Sequence, residues 1–284
     1  MMHSEYIYTS RYMVLSIPVL RMQVISTETD PIQVNQTFTI VMPAFNEENF
    51  IGTTLEKVCG FISEKKLNWS VIVSVDGSDG TEEIVSSYSK SFPFVSLVKS
   101  NVRSGKGAAV KRVIGMLDSD YVILMDADGS LALETIATNL YLLEDFDCLV
   151  FSRYFNDNNI PLVRKLLSKG FNILVKVFLN VRIRDTQSGY KVFKKEPFVE
   201  GMKKVGPTNT FWDVSLFYHM NEDNVNIKEI ECDYNHREES KFHPLGEVFG
   251  QGVSLIAFRL RHSRFFKYIP KELISLYYRK LRWI

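Results

Sequence analysis

The chain has 284 residues, 45% of them hydrophobic and 24% charged, with a formal net charge of +1. That length can bury a full core, as one large domain or as one domain with an appendage. The near-neutral balance argues against a protein that coats nucleic acid, although charge can still be segregated locally.

Residues 1–36 show no sustained hydrophobic period and are expected to form a loosely held arm. Its best apolar run, Tyr12 to Leu20, is short and bracketed by Arg11 and Arg21, without a convincing cleavage site, so no signal peptide is expected. No run reaches the eighteen apolar residues that a spanning helix needs. Cys59, Cys148 and Cys232 are odd in number, far apart and in apolar surroundings, as expected of reduced core residues in a cytosolic protein. The sequons at Asn35 and Asn68 carry no meaning if the chain stays in the cytosol.

Thr37 to Met42 is the first expected buried strand, ending in the turn Pro43-Ala44-Phe45-Asn46-Glu47-Glu48. The spacing of Ile51, Leu55, Val58 and Ile62 then predicts a helix with one buried stripe. Val71 to Val75 is a second strand, followed by Asp76-Gly77-Ser78-Asp79-Gly80-Thr81 and a helix opened by Glu82 and Glu83. Phe94 to Val98 is a third. It leads to Ser104-Gly105-Lys106-Gly107 and a helix with Val110, Val113, Ile114 and Leu117 on one side. Tyr121 to Met125 is a fourth, and Cys148 to Phe151 a fifth, running into Ser152-Arg153-Tyr154. Beyond it the pattern predicts a helix over Leu162 to Leu179, a polar turn at Asp185 to Gly189, and a strand at Tyr190 to Phe193. A helix at Phe211 to Met220 and a strand at Val225 to Tyr234 complete the series. This alternation of strands and helices predicts an α/β protein with a doubly wound, mostly parallel sheet and right-handed crossovers. Its polar, Gly-containing turns sit at the carboxyl ends of the strands, where such sheets bind ligands.

Asp126-Ala127-Asp128 stands immediately after the fourth strand. Alternate residues there point the same way, so both carboxylates can reach one point. Mg²⁺ commonly takes one or two protein carboxylates, with substrate phosphates completing its shell. The competing reading is a solvated, Asp-rich turn that caps a helix. Other sites fail on spacing: there is no Gly-x-Gly-x-x-Gly, no complete Walker loop around Lys106, no calcium loop at Asp76 and no nucleophile elbow.

From about Gly250 the chain turns basic. Arg259, Arg261, Arg264, Lys267, Lys271, Arg279, Lys280 and Arg282 face only Glu272 and are interleaved with aromatic residues. Such a segment suits an anionic membrane surface, or else a helix packed on its own domain with a solvated basic face. Nucleic acid is disfavoured because the basic residues cluster at one end.

Taken in order, Pro43 to Glu48, Asp76 to Thr81, Gly105 to Ala109, Asp126 to Gly129 and Asp185 to Gly189 resemble the motifs of family-2 inverting glycosyltransferases with the GT-A fold. The pattern is that of the dolichyl-phosphate glucose and mannose synthases in particular. It covers roughly residues 37–245, and its second stretch is one residue shorter than the family's Asp-Asp-Gly-Ser-Thr-Asp-Gly-Thr.

The chain is expected to divide into an arm (1–36), a domain (37–245) and a C-terminal basic, amphipathic helical segment (246–284); the resemblance, which leaves out arm and tail, implies that the domain is GT-A, with a Rossmann-like nucleotide-binding half and an acceptor half. It implies that Pro43, Ala44, Asn46, Glu47, Asp76, Lys106, Asp126, Ala127 and Asp128 hold a nucleotide sugar, with Arg237 and Lys241 closing over its diphosphate. Asp126 and Asp128 would hold Mg²⁺ or Mn²⁺. Arg153, Arg164 and Ser168 would grip a lipid phosphate, a task suited to guanidinium groups. Gln187 and Asp213 would lie near the sugar, and Asp128, Arg153, Arg164, Gln187 and Asp213 would carry the reaction. Each has a plainer alternative: Asn46 and Asp185 as turn caps, Lys106 as an exposed lysine, Arg153 as a partner for a helix carboxylate. A phosphate acceptor is already anionic and needs no protein base, in keeping with the absence of an obvious catalytic His. His236 and His243 are expected to be structural or solvent-facing. The expected activity is inverting transfer of a hexose from UDP-glucose to a polyprenyl phosphate, peripherally, on the cytoplasmic face of a membrane. GDP-mannose as donor and a soluble acceptor are the alternatives, and further off stands a non-catalytic nucleotide-binding or scaffold protein.

Overall fold

The computed structural model describes residues 36–152, 162–206, 211–232, 234 and 244–263, with the backbone alone for 162–168 and 244–249. Seven strands form one sheet: β1 (Phe38–Phe45), β2 (Trp69–Asp76), β3 (Val95–Ser100), β4 (Tyr121–Leu124), β5 (Cys148–Ser152), β6 (Lys191–Lys194) and β7 (Ile227–Glu231). Their order is β3-β2-β1-β4-β6-β5-β7. All neighbours are parallel except β6, which runs antiparallel to both β4 and β5.

Both faces are covered, which explains the apolar runs. Along β1, Phe38, Ile40, Met42 and Ala44 enter one core and Val41 the other. In β4, Ile123 points one way and Val122 and Leu124 the other. The first core is closed by α1 (Ile51–Glu64), α2 (Thr81–Ser91) and the short α4 (Leu133–Ala137). On the other face lie α3 (Lys106–Val113), α5 (Leu162–Leu179), α6 (Lys195–Lys204), α7 (Trp212–Glu222) and α8 (Pro244–Arg261). The expected α1 stripe is fully enclosed, with Ile51, Leu55 and Val58 at 0% exposure. Each such aliphatic side chain contributes about 1.5–3 kcal/mol relative to exposure.

One expectation changes. The helix after Lys106 is α only to Val113; Ile114–Met116 tightens into a 3-10 turn before Leu117. The sheet is mostly parallel, as expected, with β6 the reversed strand. Because β6 is reversed, its beginning lies at the carboxyl end of β4, with Leu124 opposite Lys191. The turn from Asp185 to Gly189 therefore opens onto the same edge as the Asp126 turn. α8 starts at Pro244 and sends Leu255 and Phe258 into the second core. The arm (1–35) and the basic stretch 264–284 lie outside the described residues.

Candidate active site

Strand order reverses across β1, which has β2 on one side and β4 on the other. A cleft of about 330 Å³ opens there, at the carboxyl ends of the strands. β1 contributes Pro43, Ala44 and Phe45, and Glu47 follows; β2 contributes Asp76, and the β4 turn adds Asp126, Ala127 and Asp128. Gly105, Lys106 and Ala109, at the start of α3, form the opposite wall with Arg103.

The wall turns brace one another. Asn46 takes up a left-handed φ of 55°, which few residue types besides Gly adopt readily. Its side-chain oxygen accepts from the Ser78 N–H at 3.3 Å. Thr81 Oγ1 accepts from the Glu47 N–H (2.8 Å), and Glu48 accepts from the Gly80 N–H (2.8 Å). Asp76 is nearly enclosed, and both its oxygens are engaged: one by Arg112 (2.9 Å), the other by the Ser104 N–H and hydroxyl (2.9 Å each). It lines the cleft as the anchor of an Arg112–Ser74–Ser104 network.

Acidic charge gathers at the β4 edge. Lys106 Nζ donates to Asp126 at 2.5 Å. Asp128 accepts from the Ser130 N–H (3.0 Å) and from the Tyr190 hydroxyl (3.3 Å). Burial, reinforced by Asp128 and Asp126, pushes the Glu47 carboxyl up to about 7. A cation entering here would relieve that crowding, and an all-carboxylate donor set suits Mg²⁺ or Mn²⁺. Among the described residues no three His, Cys, Asp or Glu side chains form a group able to hold a metal ion. Asp126 and Asp128 are the carboxylates at this edge that could hold such an ion together with a ligand's phosphates.

The reversed β6 brings the second half of the site to this edge. Gly189 lies against Asp126 so closely that an added Cβ would stand 1.9 Å from its Oδ2. Its turn is fixed by Ser188, whose hydroxyl donates to the Phe151 carbonyl (2.5 Å), and by Glu229, which accepts from the N–H groups of Arg184 and Asp185. Gln187 is half-buried within it. Lys191, 1% exposed, donates to the Ser188 carbonyl (2.5 Å) and to Asp213 at the start of α7 (2.8 Å). Burial holds the Asp213 carboxyl above its ordinary value, while Lys191 and Lys106 pull it back down. α3 and α7 meet at Gly107, where any Cβ would stand 2.5 Å from Trp212.

Of the donor residues expected from sequence, all the described ones line the cleft except Asn46, which shapes its wall. Gln187, Asp185 and Asp213 belong to the adjoining β6 and α7 turns. Arg153, Arg237 and Lys241, with the side chains of Arg164 and Ser168, lie outside the described residues, as do His236 and His243. Sequence reasoning missed Phe45 and Arg103, whose guanidinium lies 4.1 Å from the ring centroid at the cleft wall. It also missed Arg112, Tyr190 and Lys191. Arg103 adjoins the Gly-Lys-Gly turn, a usable signal. The carboxylate partners of Arg112 and Lys191, Asp76 and Asp213, are distant in sequence and gave none.

The sheet is that of GT-A glycosyltransferases. Residues 39–201 match the model of Glycosyl transferase family 2, more than half of the chain, and the chain belongs to that family. It is 27% identical over 250 residues to the dolichyl-phosphate beta-glucosyltransferase of Dictyostelium discoideum, covering 80% of this chain and 75% of that one. It is 32% identical over 171 residues to the dolichyl-phosphate beta-glucosyltransferase ALG5A of Trichomonas vaginalis, covering 55% and 53%. Among solved structures it resembles glucosyl-3-phosphoglycerate synthase from Mycobacterium tuberculosis in complex with Mn²⁺, UDP and glucosyl-3-phosphoglycerate. That likeness has a TM-score of 0.58 and 18% identity, over 80% of this chain and 79% of that one, and is one of fold.

Proposed function

We propose that this glycosyltransferase moves glucose from UDP-glucose to a polyprenyl phosphate of the dolichyl type, with inversion, at the cytoplasmic face of a membrane. The observation that carries the reading is the meeting of two turns: Asp126 and Asp128 after β4, and Asp185 to Gly189 before β6, joined where Gly189 touches Asp126. The named relatives support the acceptor and the sugar.

In this reading the base and ribose lie between the β1 and β2 turns, and the diphosphate lies by Lys106, Asp126 and Asp128. Asp126 and Asp128 would hold a divalent cation, which would supply neutralising charge to the departing diphosphate. Lys106 adds a positive charge to the same group. Gln187 and Asp213, fixed by Ser188 and Lys191, orient the glucose. An acceptor phosphate oxygen, held by Arg153, Arg164 and Ser168, attacks the anomeric carbon from the face opposite the leaving group. The new C–O bond forms as the bond to the diphosphate breaks, and no proton needs removing. Arg237 and Lys241 close over the diphosphate.

Radiolabelled UDP-glucose and GDP-mannose, each offered with dolichyl phosphate and Mg²⁺ or Mn²⁺, test this. Lipid-linked glucose from UDP-glucose is expected; product from neither donor overturns the reading.

A further inference from the structure

Two consecutive residues of the β6 turn touch the two carboxylates of the β4 turn. Gly189 lies against Asp126 through its backbone, and Tyr190 reaches Asp128 through its side chain. The Tyr190 hydroxyl donates to Asp128 Oδ1 at 3.3 Å, and the Ser130 N–H donates to the same oxygen at 3.0 Å. Among the described residues no hydrogen bond reaches Oδ2. Asp128 is half-buried and lines the cleft, so Oδ2 is the oxygen left for a cation. Asp126 differs: its Oδ1 takes Lys106 and its Oδ2 faces Gly189.

Burial gives this phenol a fixed place. Tyr190 is 0% exposed, its ring stands edge-on to Tyr234 at 5.5 Å, and its N–H donates to the Ser188 hydroxyl at 3.1 Å. The Tyr234 hydroxyl donates in turn to the Phe151 carbonyl at 2.9 Å. The Ser130 hydroxyl donates to the Tyr190 oxygen at 3.4 Å, which commits the phenol hydrogen to Asp128. The last torsion of an aspartate is broad and roughly two-fold, so in an unbraced turn both oxygens would sweep the cleft. Two donors on Oδ1 stop that rotation. Groups that orient a metal ligand in this way are typically worth about 10–100-fold in metal affinity.

We propose that Tyr190 is a positioning residue for the cation site: its hydroxyl fixes Asp128 so that Oδ2 meets the metal, and it ties metal binding to the turn that carries Gln187. The inference rests on the reading of Asp126 and Asp128 as the holders of a divalent cation, but its test needs no sugar transfer. Mn²⁺ is titrated into the full chain with UDP present, and free Mn²⁺ is read by its paramagnetic resonance signal. Tyr190→Phe removes one oxygen and keeps the ring. It is expected to raise the Kd for Mn²⁺ by about 10–100-fold, while the metal-free chain melts within a few degrees of wild type. Saturating Mn²⁺ should return turnover toward wild type, because Asp128 is still present; the loss then falls on the KM for Mn²⁺ and spares kcat. Ser130→Ala keeps its N–H on Asp128 and should shift Mn²⁺ affinity less than Tyr190→Phe does. The proposal is overturned by a wild type that binds no Mn²⁺ with UDP, or by a Tyr190→Phe variant whose Mn²⁺ affinity is unchanged, whatever its melting temperature. A loss of turnover that saturating Mn²⁺ does not recover overturns it equally. Weakened Mn²⁺ binding in the variant, beside a wild type that makes no lipid-linked glucose, sinks the functional reading alone. Lipid-linked glucose from wild type, beside an Mn²⁺ affinity that the variant leaves unmoved, sinks this one alone.

Discussion

Asp128 holds the Ser130 N–H and the Tyr190 hydroxyl while facing the cleft, so its replacement separates chemistry from folding. Asp128→Asn keeps the size and one acceptor oxygen. It is expected to lower glucose transfer by about 10²–10³-fold, the size of a lost metal-ligand contribution, with melting shifted by only a few degrees. Steady-state transfer beside a thermal melt decides it. Gly189→Ala tests the same centre from the other turn. Its methyl must displace the Asp126 carboxylate, so kcat is expected to fall while the far-UV spectrum stays native; full activity would remove the Gly189–Asp126 contact from the argument. At this scale sequence was partly legible. Asp126 and Asp128 stood out because strand periodicity and carboxylate spacing are local signals. Lys191 did not, since a lysine in Gly-Tyr-Lys-Val reads as an exposed alternate of a strand until the fold buries it.

Among elements, β6 and α7 share the second core and are also tied by an ion pair in nearly dry surroundings, with Lys191 5.5 Å from the Trp212 ring centre. Removing one partner leaves the other charge buried alone. Lys191→Met is expected to cost roughly 3–5 kcal/mol. Adding Asp213→Leu should recover much of that in urea unfolding, without restoring transfer. The α7–α8 contact carries a different dependence. His219 stacks edge-on with His262 (5.6 Å) and Phe258 (6.1 Å). Burial, with His262 and Lys204 adding to it, holds His219 below its ordinary 6.5. The fold therefore binds that proton less readily than the unfolded chain does, and the contribution of His219 to stability falls as pH drops below 6.5. The raised Glu47 carboxyl acts with the opposite sign over the same range, so the comparison is between wild type and His219→Gln: on going from pH 7.5 to 5.5 the variant should lose less stability, or gain more, than wild type in thermal melts. Helix positions were legible where burial was one-sided and periodic, as in α1, and strand positions where a short apolar run is buried on both faces, as in β1. The direction of β6 was not. A strand of Lys-Val-Phe-Lys carries no mark of parallel or antiparallel pairing, and that direction sets what stands beside Asp126.

For the molecule as a whole, the doubly wound layout was readable from the alternation of strands and helices, because a sheet buried on both faces needs apolar strands and covering helices. What the alternation left open was that the site is drawn from both halves of the sheet. A ligand spanning the cleft should therefore stabilise the whole domain. UDP with Mn²⁺ is expected to raise the melting temperature cooperatively, by about 2.7 kcal/mol of stability at a hundredfold excess over Kd. Removing the metal with EDTA should abolish most of that gain. A rise of equal size without metal would argue against Asp126 and Asp128 as its ligands.

The inserted strand also dictates the order in which the chain can mature on the ribosome. Among the described residues β5 pairs with β6 and β7 alone, and β4 is left with one open side until β6 arrives. A nascent polypeptide halted before Lys191 thus presents three unsatisfied strand borders at once, one on β4 and both on β5. That interval is when the polypeptide is most prone to stick to its neighbours and gains most from a holding chaperone.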